Sequence, residues 1–374
     1  MSSQRLITVP FVLVTVAVFL GALSPNLFVL ASRYLADRGY DPDHIGVVMS
    51  AFSIGSLTMM PWVGRIIQHG RRALVLCVGC AVGGLGCAAF ELAGDIPGYF
   101  AARLIQGAGF AAVLVSGSAY VAESAPRERL AQALGFAGVL TLASQAAGPA
   151  FGELIVDHAG WPWLFWSGAI AGALGAGVGA FLPAIRDGDR NGDDAATPAV
   201  RARGAVIAMG LAGFGFGAVI GFIAAYSDDA GVGKVNPFFW AYVAAAVTAR
   251  LTMGHLADRF GRRATAAPAL VGHAIALAAL SAIGATWHLV AIGAVFGLSH
   301  GIYYPSLQAQ IVESARHDAR SRAVAASTLA FGGGVFAAIL GLGFVADALG
   351  YPAIYLLAAG AGVCAAATVY ADRV

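Results

Sequence analysis

Arg103, Glu153 and His300 each place a charged or titratable group inside a long apolar stretch of the chain. An ionisable side chain surrounded by hydrocarbon is costly, so such a residue marks a functional position by default. A buried carboxyl tends to be neutral, and an imidazole changes its charge near neutral pH. Glu153 and His300 could therefore take up and release a proton, and Arg103 could supply the positive charge that pairs with a carboxylate.

Each of the three residues also has a simpler interpretation. Arg103 lies near one end of its apolar run, so its guanidinium could extend to the membrane surface. Glu153 lies near Asp157 at the end of another run, where both carboxylates could be solvated. His300 could hydrogen-bond to a neighbouring helix. At this stage both interpretations stay open for all three residues.

Polar residues near Arg103 and His300 predict a binding cavity. Arg103 and Gln106 are three residues apart and therefore share one face of a helix. His300, Tyr304 and Gln308 recur every four residues and form a polar stripe. Aromatic, imidazole and amide groups suit a small molecule of mixed polar and apolar character. The candidate cavity residues are Asn26, Gln106, Gln145, Tyr303, Tyr304 and Gln308.

A glycine and proline motif precedes Glu153. It reads Gly148-Pro149-Ala-Phe-Gly152. Proline bends a helix and removes a hydrogen-bond donor, whereas glycine lets a second helix approach closely. These three residues are predicted to serve helix packing, at the interface between the two halves of the protein.

The composition indicates that these residues lie on helices in a membrane. Apolar residues make up 59% of the 374 residues and charged residues 11%, against about 25% charged in a soluble domain. A helix needs about twenty apolar residues to span a bilayer. Twelve runs meet this need, at about 9–31, 45–64, 73–93, 98–122, 131–155, 162–182, 204–226, 238–256, 264–284, 288–312, 321–346 and 351–371. The predicted fold is an all-α membrane protein with twelve transmembrane helices.

The basic residues predict the orientation. With the N-terminus on the cytoplasmic side, 17 of the 22 basic residues fall in cytoplasmic segments and 3 on the opposite side. Positive charge is retained in the cytoplasm. Both termini and the polar segment 183–203 are therefore predicted to be cytoplasmic.

The first and second halves of the chain repeat each other at a constant offset of 190 residues. Glu123 corresponds to Glu313, and Gly160 corresponds to Gly350. Such repeats are typical of transporters built from two similar halves. The predicted organisation is a six-helix half at 1–182, a cytoplasmic linker at 183–203 and a second six-helix half at 204–374.

A basic motif lies between the eighth and ninth apolar runs. It reads Gly254-x-x-x-Asp258-Arg259-x-Gly261-Arg262-Arg263. Its spacing resembles the loop signature of the major facilitator superfamily of secondary transporters. We expect a tight loop here that contributes to gating. Asp258 would pair with an arginine or lie at the N-terminus of a helix.

The corresponding part of the first half keeps only some of this motif. It retains Gly64, Arg71 and Arg72, but Gln68 stands where the second half has Asp258. The first-half loop is a candidate gating segment that lacks the acidic partner. Asp258 is therefore expected to carry the gating role alone.

Two further motifs place the resemblance in the drug and metabolite efflux branch of this superfamily. The phrase from Arg103 to Gly109 is similar to the family's R-x-x-Q-G-x-G motif, whose arginine is linked to proton coupling or to substrate. The phrase from Gly148 to Gly152 is similar to an element of drug antiporters. The resemblance implies proton-coupled efflux of a small organic molecule across the bacterial inner membrane, by a monomer.

Two alternatives to efflux remain open. One is a proton symporter for uptake, and the other is a receptor or scaffold that keeps the fold without transport. The sequence has no phosphate-binding loop, and Cys77-x-x-Cys80, which matches a redox or metal-ligand spacing, has no partner pair. We therefore expect no enzyme activity, no cofactor, no metal and no nucleic-acid partner. The expected partners are a small-molecule substrate, protons and the lipid bilayer.

Overall fold

The structure is a computed structural model that describes residues 8–67, 70–125, 129–183, 202–315 and 320–372. These residues form helices and short connections, and no strand is found among them. The predicted all-α fold is thereby confirmed for the described part of the chain.

Several of the helices are joined by a single residue, as at Gly160, Gly261 and Gly350. A 3-10 turn at Leu27–Leu30 lies between α1 and α2. In chain order the helices are α1 Val9–Asn26, α2 Ala31–Asp37, α3 Pro42–Ile67, α4 Arg72–Leu92, α5 Ile96–Ser124, α6 Leu130–Ala159, α7 Trp161–Ala180, α8 Arg203–Asp229, α9 Asn236–Phe260, α10 Arg262–Leu280, α11 Thr286–Glu313, α12 Arg320–Leu349 and α13 Tyr351–Ala371.

Ten helical segments of the described chain are long and apolar enough to cross a membrane. The first of them joins α1, the 3-10 turn and α2 into one span, Val9–Asp37. Helices α9 and α11 are 25 and 28 residues long but are not among the ten. They carry the polar residues Arg250 and His300 in their interiors. A multi-pass membrane protein is therefore supported, and a count of twelve spanning helices stays a prediction.

The described residues form two compact units. One contains 8–30 and 51–183, and the other contains 31–50 and 202–372. The segment 31–50, which holds α2 and the start of α3, packs with the later part of the chain. An ion pair of 3.1 Å between Arg33 and Asp228 joins α2 to α8 within this second unit. The boundaries predicted at 182 and 204 stay a prediction.

Helices α9 and α11 run parallel in close contact. A methyl group added at Gly293, Gly297 or Gly301 would meet the backbone of Phe238, Tyr242 or Ala246, respectively. The contacted residues on α9 advance by four whenever the glycines on α11 advance by four, so the two helices are parallel. The spacing of four places all three glycines on one face of α11.

The first unit contains the equivalent contact between α3 and α5. A methyl group at Gly107 would overlap the carbonyl oxygen of Phe52. The repeat in the sequence relates Phe52 to Tyr242 and Gly107 to Gly297, which make the same contact in the second unit. The internal repeat found in the sequence is therefore also a repeat of backbone packing.

The turns between paired helices repeat as well. Gly160 has φ 87° between α6 and α7, and Gly350 has φ 80° between α12 and α13. These positive φ angles favour glycine. A proline follows two residues later in each case, at the start of the next helix, where its missing N–H costs nothing.

The basic motif forms an even tighter connection than the bounds of the apolar runs predicted. Helix α9 continues through Gly254 and Asp258 to Phe260, and α10 begins at Arg262. Gly261, with φ 92°, alone connects the two helices. The tight connection that the sequence predicted is therefore present, whereas the end of the preceding helix, predicted near residue 256, lies four residues later, because the helical pattern of α9 extends through most of the motif.

Candidate functional site

Arg103 lies in the interior of the first unit, on α5. Only 5% of its surface is exposed. Its Nη1 donates a hydrogen bond of 2.6 Å to Oε1 of Gln106, one turn later on the same helix. Its guanidinium also lies 4.8 Å from the ring centre of Phe52 and 5.6 Å from that of Phe28. The predicted shared face is confirmed, and Arg103 does not extend to the membrane surface.

The polar contacts of Gln106 continue across two more helices. Its Nε2 lies 3.5 Å from Sγ of Cys87 on α4, and that sulfur lies 3.1 Å from Oγ of Ser24 on α1. Gly86 makes room for Gln106, since a methyl group there would lie 2.7 Å from its Cγ. Sequence reasoning missed Ser24 and Cys87, because a serine and a cysteine are ordinary in an apolar helix.

Glu153 is buried in α6, with 3% of its surface exposed. The alternative of a solvated carboxylate at a helix end is therefore wrong. Arg103 is buried in the same unit, where Gln106 accepts its hydrogen bond. A direct pairing of Arg103 with Glu153 stays a prediction.

The glycines before Glu153 pack against the first helical span. Gly148 lies against the backbone of Asn26, and Gly152 lies against Leu30 and Leu164. Asn26 itself donates a hydrogen bond of 2.9 Å from Nδ2 to Oγ of Ser144. A packing role is supported, but these contacts lie within the first unit rather than between the halves. Pro149 lies inside α6, and Gln145 is half-buried on the same helix.

His300 is the centre of an aromatic cluster in the second unit. Its Nδ1 lies 2.9 Å from the hydroxyl oxygen of Tyr242, so α9 and α11 are joined by a hydrogen bond. The rings around it come from α8, α9, α11 and α12: Phe216, Tyr242, Tyr303, Tyr304 and Phe331. The helix-to-helix bond that the sequence left open for His300 is present.

A second histidine lies beside this cluster. His273 on α10 is fully buried, with its ring centre 4.7 Å from Phe296 and 5.1 Å from Tyr303. His273 was not predicted as a site residue, although a lone imidazole in the apolar run 264–284 was the available signal. Tyr303 is fully buried as well, whereas Tyr304 and Gln308 are half-buried. Tyr304 and Gln308, the last two residues of the predicted polar stripe, therefore keep an accessible surface.

The basic residues at the helix ends form equivalent ion pairs in the two units. Arg72 pairs with Glu123 at 2.8 Å, and Arg262 pairs with Glu313 at 3.1 Å. Both members of the second pair are the repeat equivalents of the members of the first. Each pair joins the start of one helix to the end of the next, α4 to α5 and α10 to α11.

The other candidate gating residues have separate positions. Arg259 stacks on Phe260 at 5.3 Å, and Arg263 stacks on Tyr370 at 5.3 Å. Arg71 is exposed. A methyl group at Gly64 would meet no described atom within 4 Å, so no described helix approaches closely there. The side chains of residues 254–258, Asp258 included, lie outside the described ones.

A family model described as Major Facilitator Superfamily matches residues 11–246 and 205–373 of the chain. The chain belongs to this superfamily. The sequence resemblance, based on the motifs around Arg103 and Asp258, is thereby confirmed.

Curated relatives resemble parts of this facilitator chain. It is 28% identical over 156 residues to the uncharacterized MFS-type transporter YfiU of Bacillus subtilis, which is 41% of this chain and 30% of the relative. It is 28% identical over 141 residues to the putative multidrug resistance protein MdtD of Escherichia coli, 37% of this chain and 29% of the relative. The matched segments thus span less than a third of each relative.

Solved structures support the facilitator fold over nearly the whole chain. The nucleoside transporter NupG superposes with a TM-score of 0.81 at 14% identity, over 98% of this chain and 100% of that one. The human organic anion transporter MFSD10 superposes with a TM-score of 0.70 at 16% identity, over 96% and 99%. At this identity the likeness concerns the fold alone.

Proposed function

We propose that this facilitator is a secondary active transporter that exports a small organic molecule in exchange for protons. The observation that carries the proposal is the burial of Glu153 and Arg103 in the apolar helices of the first unit. A carboxyl in this position alternates between a neutral and a charged form only when the protein gives it access to water. Proton antiport needs a group with this property.

The mechanism we propose is alternating access. The site opens to one side of the membrane and then to the other, and a proton enters as the substrate leaves. Arg103 contributes a fixed positive charge that stabilises Glu153 in its deprotonated form whenever the two approach. His300 is the next candidate proton site, because its titratable imidazole lies at the centre of the aromatic cluster in the second unit.

Efflux is favoured over uptake by two observations. The motif from Gly148 to Gly152 resembles an element of drug antiporters, and MdtD is named as a putative multidrug resistance protein. The candidate cavity residues of mixed polarity suit a drug or a metabolite. Proton-coupled uptake by a symporter and a receptor without transport are the two alternatives that the experiments must separate.

The proposed setting is the bacterial inner membrane, with both termini and the 183–203 segment in the cytoplasm. The excess of arginine in these segments supports this orientation. Tags on the termini or in the 183–203 segment should be accessible to impermeant reagents only after the membrane is opened. A tag that reacts in intact cells would contradict this topology.

Proton flux in proteoliposomes tests the proposed transport. The purified chain is reconstituted with a pH-sensitive dye inside, and a library of small organic compounds is added. Proton movement opposite to the substrate indicates antiport, and movement in the same direction indicates symport. The absence of any compound-dependent flux would favour the receptor.

Variants of the buried residues test the proposed coupling. Glu153→Gln should lose dependence on the proton gradient but keep substrate exchange, whereas Arg103→Ala should abolish transport in a folded protein. Asp157→Asn is the matched control, because it changes an exposed carboxyl on the same helix. If Glu153→Gln still transports uphill with unchanged pH dependence, Glu153 is not the proton site.

A further inference from the structure

Arg250 is a second deeply placed arginine, and none of the motifs accounts for it. It lies on α9 ten residues before the helix ends at Phe260. At 1.5 Å per residue this is about 15 Å from the end of the helix. Arg250 also lies inside the predicted spanning run 238–256, where a charged side chain is costly unless its charge is stabilised. It therefore requires an explanation within the protein.

The packing of α9 on α11 identifies the surroundings of Arg250. Gly297 lies level with Tyr242, and Gly301 lies level with Ala246. Four residues further along each helix, Pro305 lies level with Arg250. Tyr304, the residue before Pro305, is thereby adjacent. The phenol groups of Tyr242, Tyr304 and Tyr303 lie within electrostatic range of the guanidinium of Arg250.

Arg250 is poorly compensated by these neighbours. Its Nε is buried without a hydrogen-bond partner, and in the described part of the chain no carboxylate lies within 4.0 Å of it. His300, which is also in electrostatic range, is not an anion. Arg250 as a whole is half-buried, and a charge partly withdrawn from water with no opposite charge beside it is destabilising. A bound anion would remove this penalty.

The accessible side of the cluster is aromatic. The rings of Tyr304 and Phe331 lie 5.2 Å apart at an angle of 90°, and both residues are half-buried. Behind them, His300 lies 5.5 Å from Tyr304 and is held in place by Tyr242. Edge-to-face pairs of this kind offer ring faces and edges to a further aromatic group. A ligand that meets Arg250 would therefore meet flat apolar surfaces beside it.

We propose that Arg250, Tyr304 and Phe331 form a binding site for an organic anion, a carboxylate carried on a flat aromatic body. The carboxylate would accept hydrogen bonds from the guanidinium, whose planar fork matches it. The aromatic body would pack against the two rings. Organic cations would be excluded, since Arg250 repels them at short range. The inference rests on the proposed function, because it names the class of substrate that the same helices would carry.

Calorimetric binding to the full-length protein in detergent tests the inference. The probes are sodium 1-naphthoate, the neutral 1-naphthalenemethanol and the cationic 1-naphthylmethylammonium, which share one ring system. A charge-assisted hydrogen bond corresponds to about tenfold to hundredfold in affinity. We expect 1-naphthoate to bind more tightly than the alcohol by this factor, and the ammonium to bind most weakly.

Variants of Arg250 test whether this residue causes the preference for the carboxylate over the alcohol. Arg250→Gln should bind the carboxylate and the alcohol equally, and Arg250→Lys should keep part of the preference. Arg65→Gln is the matched control, because it removes an exposed guanidinium that also stacks on an aromatic ring, that of Trp62. It should leave all three affinities unchanged.

Three results would overturn the inference. One is equal binding of 1-naphthoate and the alcohol to the unaltered protein, which needs no variant and so does not depend on folding of Arg250→Gln. Another is a folded Arg250→Gln protein that keeps the anion preference. The third is displacement of 1-naphthoate by short-chain phosphatidylglycerol but not by phosphatidylcholine, which would assign the site to a lipid headgroup. Binding is measured without a proton gradient, so absence of transport would contradict the proposed function and leave this result intact.

Discussion

Replacement of Gly107 or Gly297 by alanine should destabilise the protein strongly. The added methyl group would overlap a carbonyl oxygen, of Phe52 in the first case and of Tyr242 in the second. These atoms belong to the backbone of a facing helix, so no side chain can rotate away and the helices must separate. Overpacking of a well-packed interior costs about 1–3 kcal/mol, and we expect the upper part of this range.

The helix itself gains from the same substitution. Alanine is favoured over glycine in a helix by about 1 kcal/mol. The net loss should therefore be about 2 kcal/mol at either position. Gly177→Ala on α7 is the matched control, since a methyl group there meets no described atom within 4 Å. It should be neutral or slightly stabilising.

Thermal unfolding of these variants and the unaltered protein in one detergent is the appropriate measurement. Gly107 and Gly297 lie in different compact units, so the double variant should show the sum of the two losses. If Gly107→Ala and Gly297→Ala unfold at the same temperature as Gly177→Ala, the helices do not pack at this distance. The alignment that places Arg250 beside Tyr304 would then fail as well.

The remaining predictions concern ion pairs, one hydrogen bond and the basic motif. Glu123→Gln should lower the unfolding temperature more than Glu313→Gln. Glu123 is 18% exposed and Glu313 is 57% exposed, so water screens the second ion pair more. Equal effects of the two variants would contradict this. Tyr242→Phe should cost about 0.5–1.5 kcal/mol of stability and leave transport measurable, and a complete loss of transport would show that proton transfer at His300 depends on this bond. Asp258→Asn should reduce substrate flux without loss of folding, and unchanged flux would show that the gate lies elsewhere.

Much of the fold could be predicted because it depends on local properties. Runs of apolar residues placed the helices to within a few residues, since spanning length follows from the thickness of a bilayer. The internal repeat predicted equivalent parts, and the ion pair of Arg262 with Glu313 corresponds to that of Arg72 with Glu123. The pairing of Arg103 with Gln106 was predictable too, because residues three apart on a helix are neighbours.

Contacts between distant segments could not be predicted in this way. The burial of Glu153 depends on which side of α6 faces the unit, and that side is set by partners on other helices. Cys87 and His273 take part in buried clusters only because α4 and α10 present them inward. The helical state of Asp258 was missed because a basic motif between two apolar runs was interpreted as a loop.

The equivalent residues Phe52 and Tyr242 show how the two units came to differ. Each lies where its helix crosses a glycine of the neighbouring helix, Gly107 or Gly297, so each ring is held close to the interior of its unit. In the first unit the ring of Phe52 lies against the guanidinium of Arg103, and in the second the hydroxyl of Tyr242 binds the imidazole of His300. One backbone contact thus supports a fixed cation in one unit and a titratable base in the other. Because the supporting contact is the same, a change at either glycine should disturb the polar group as well as the packing.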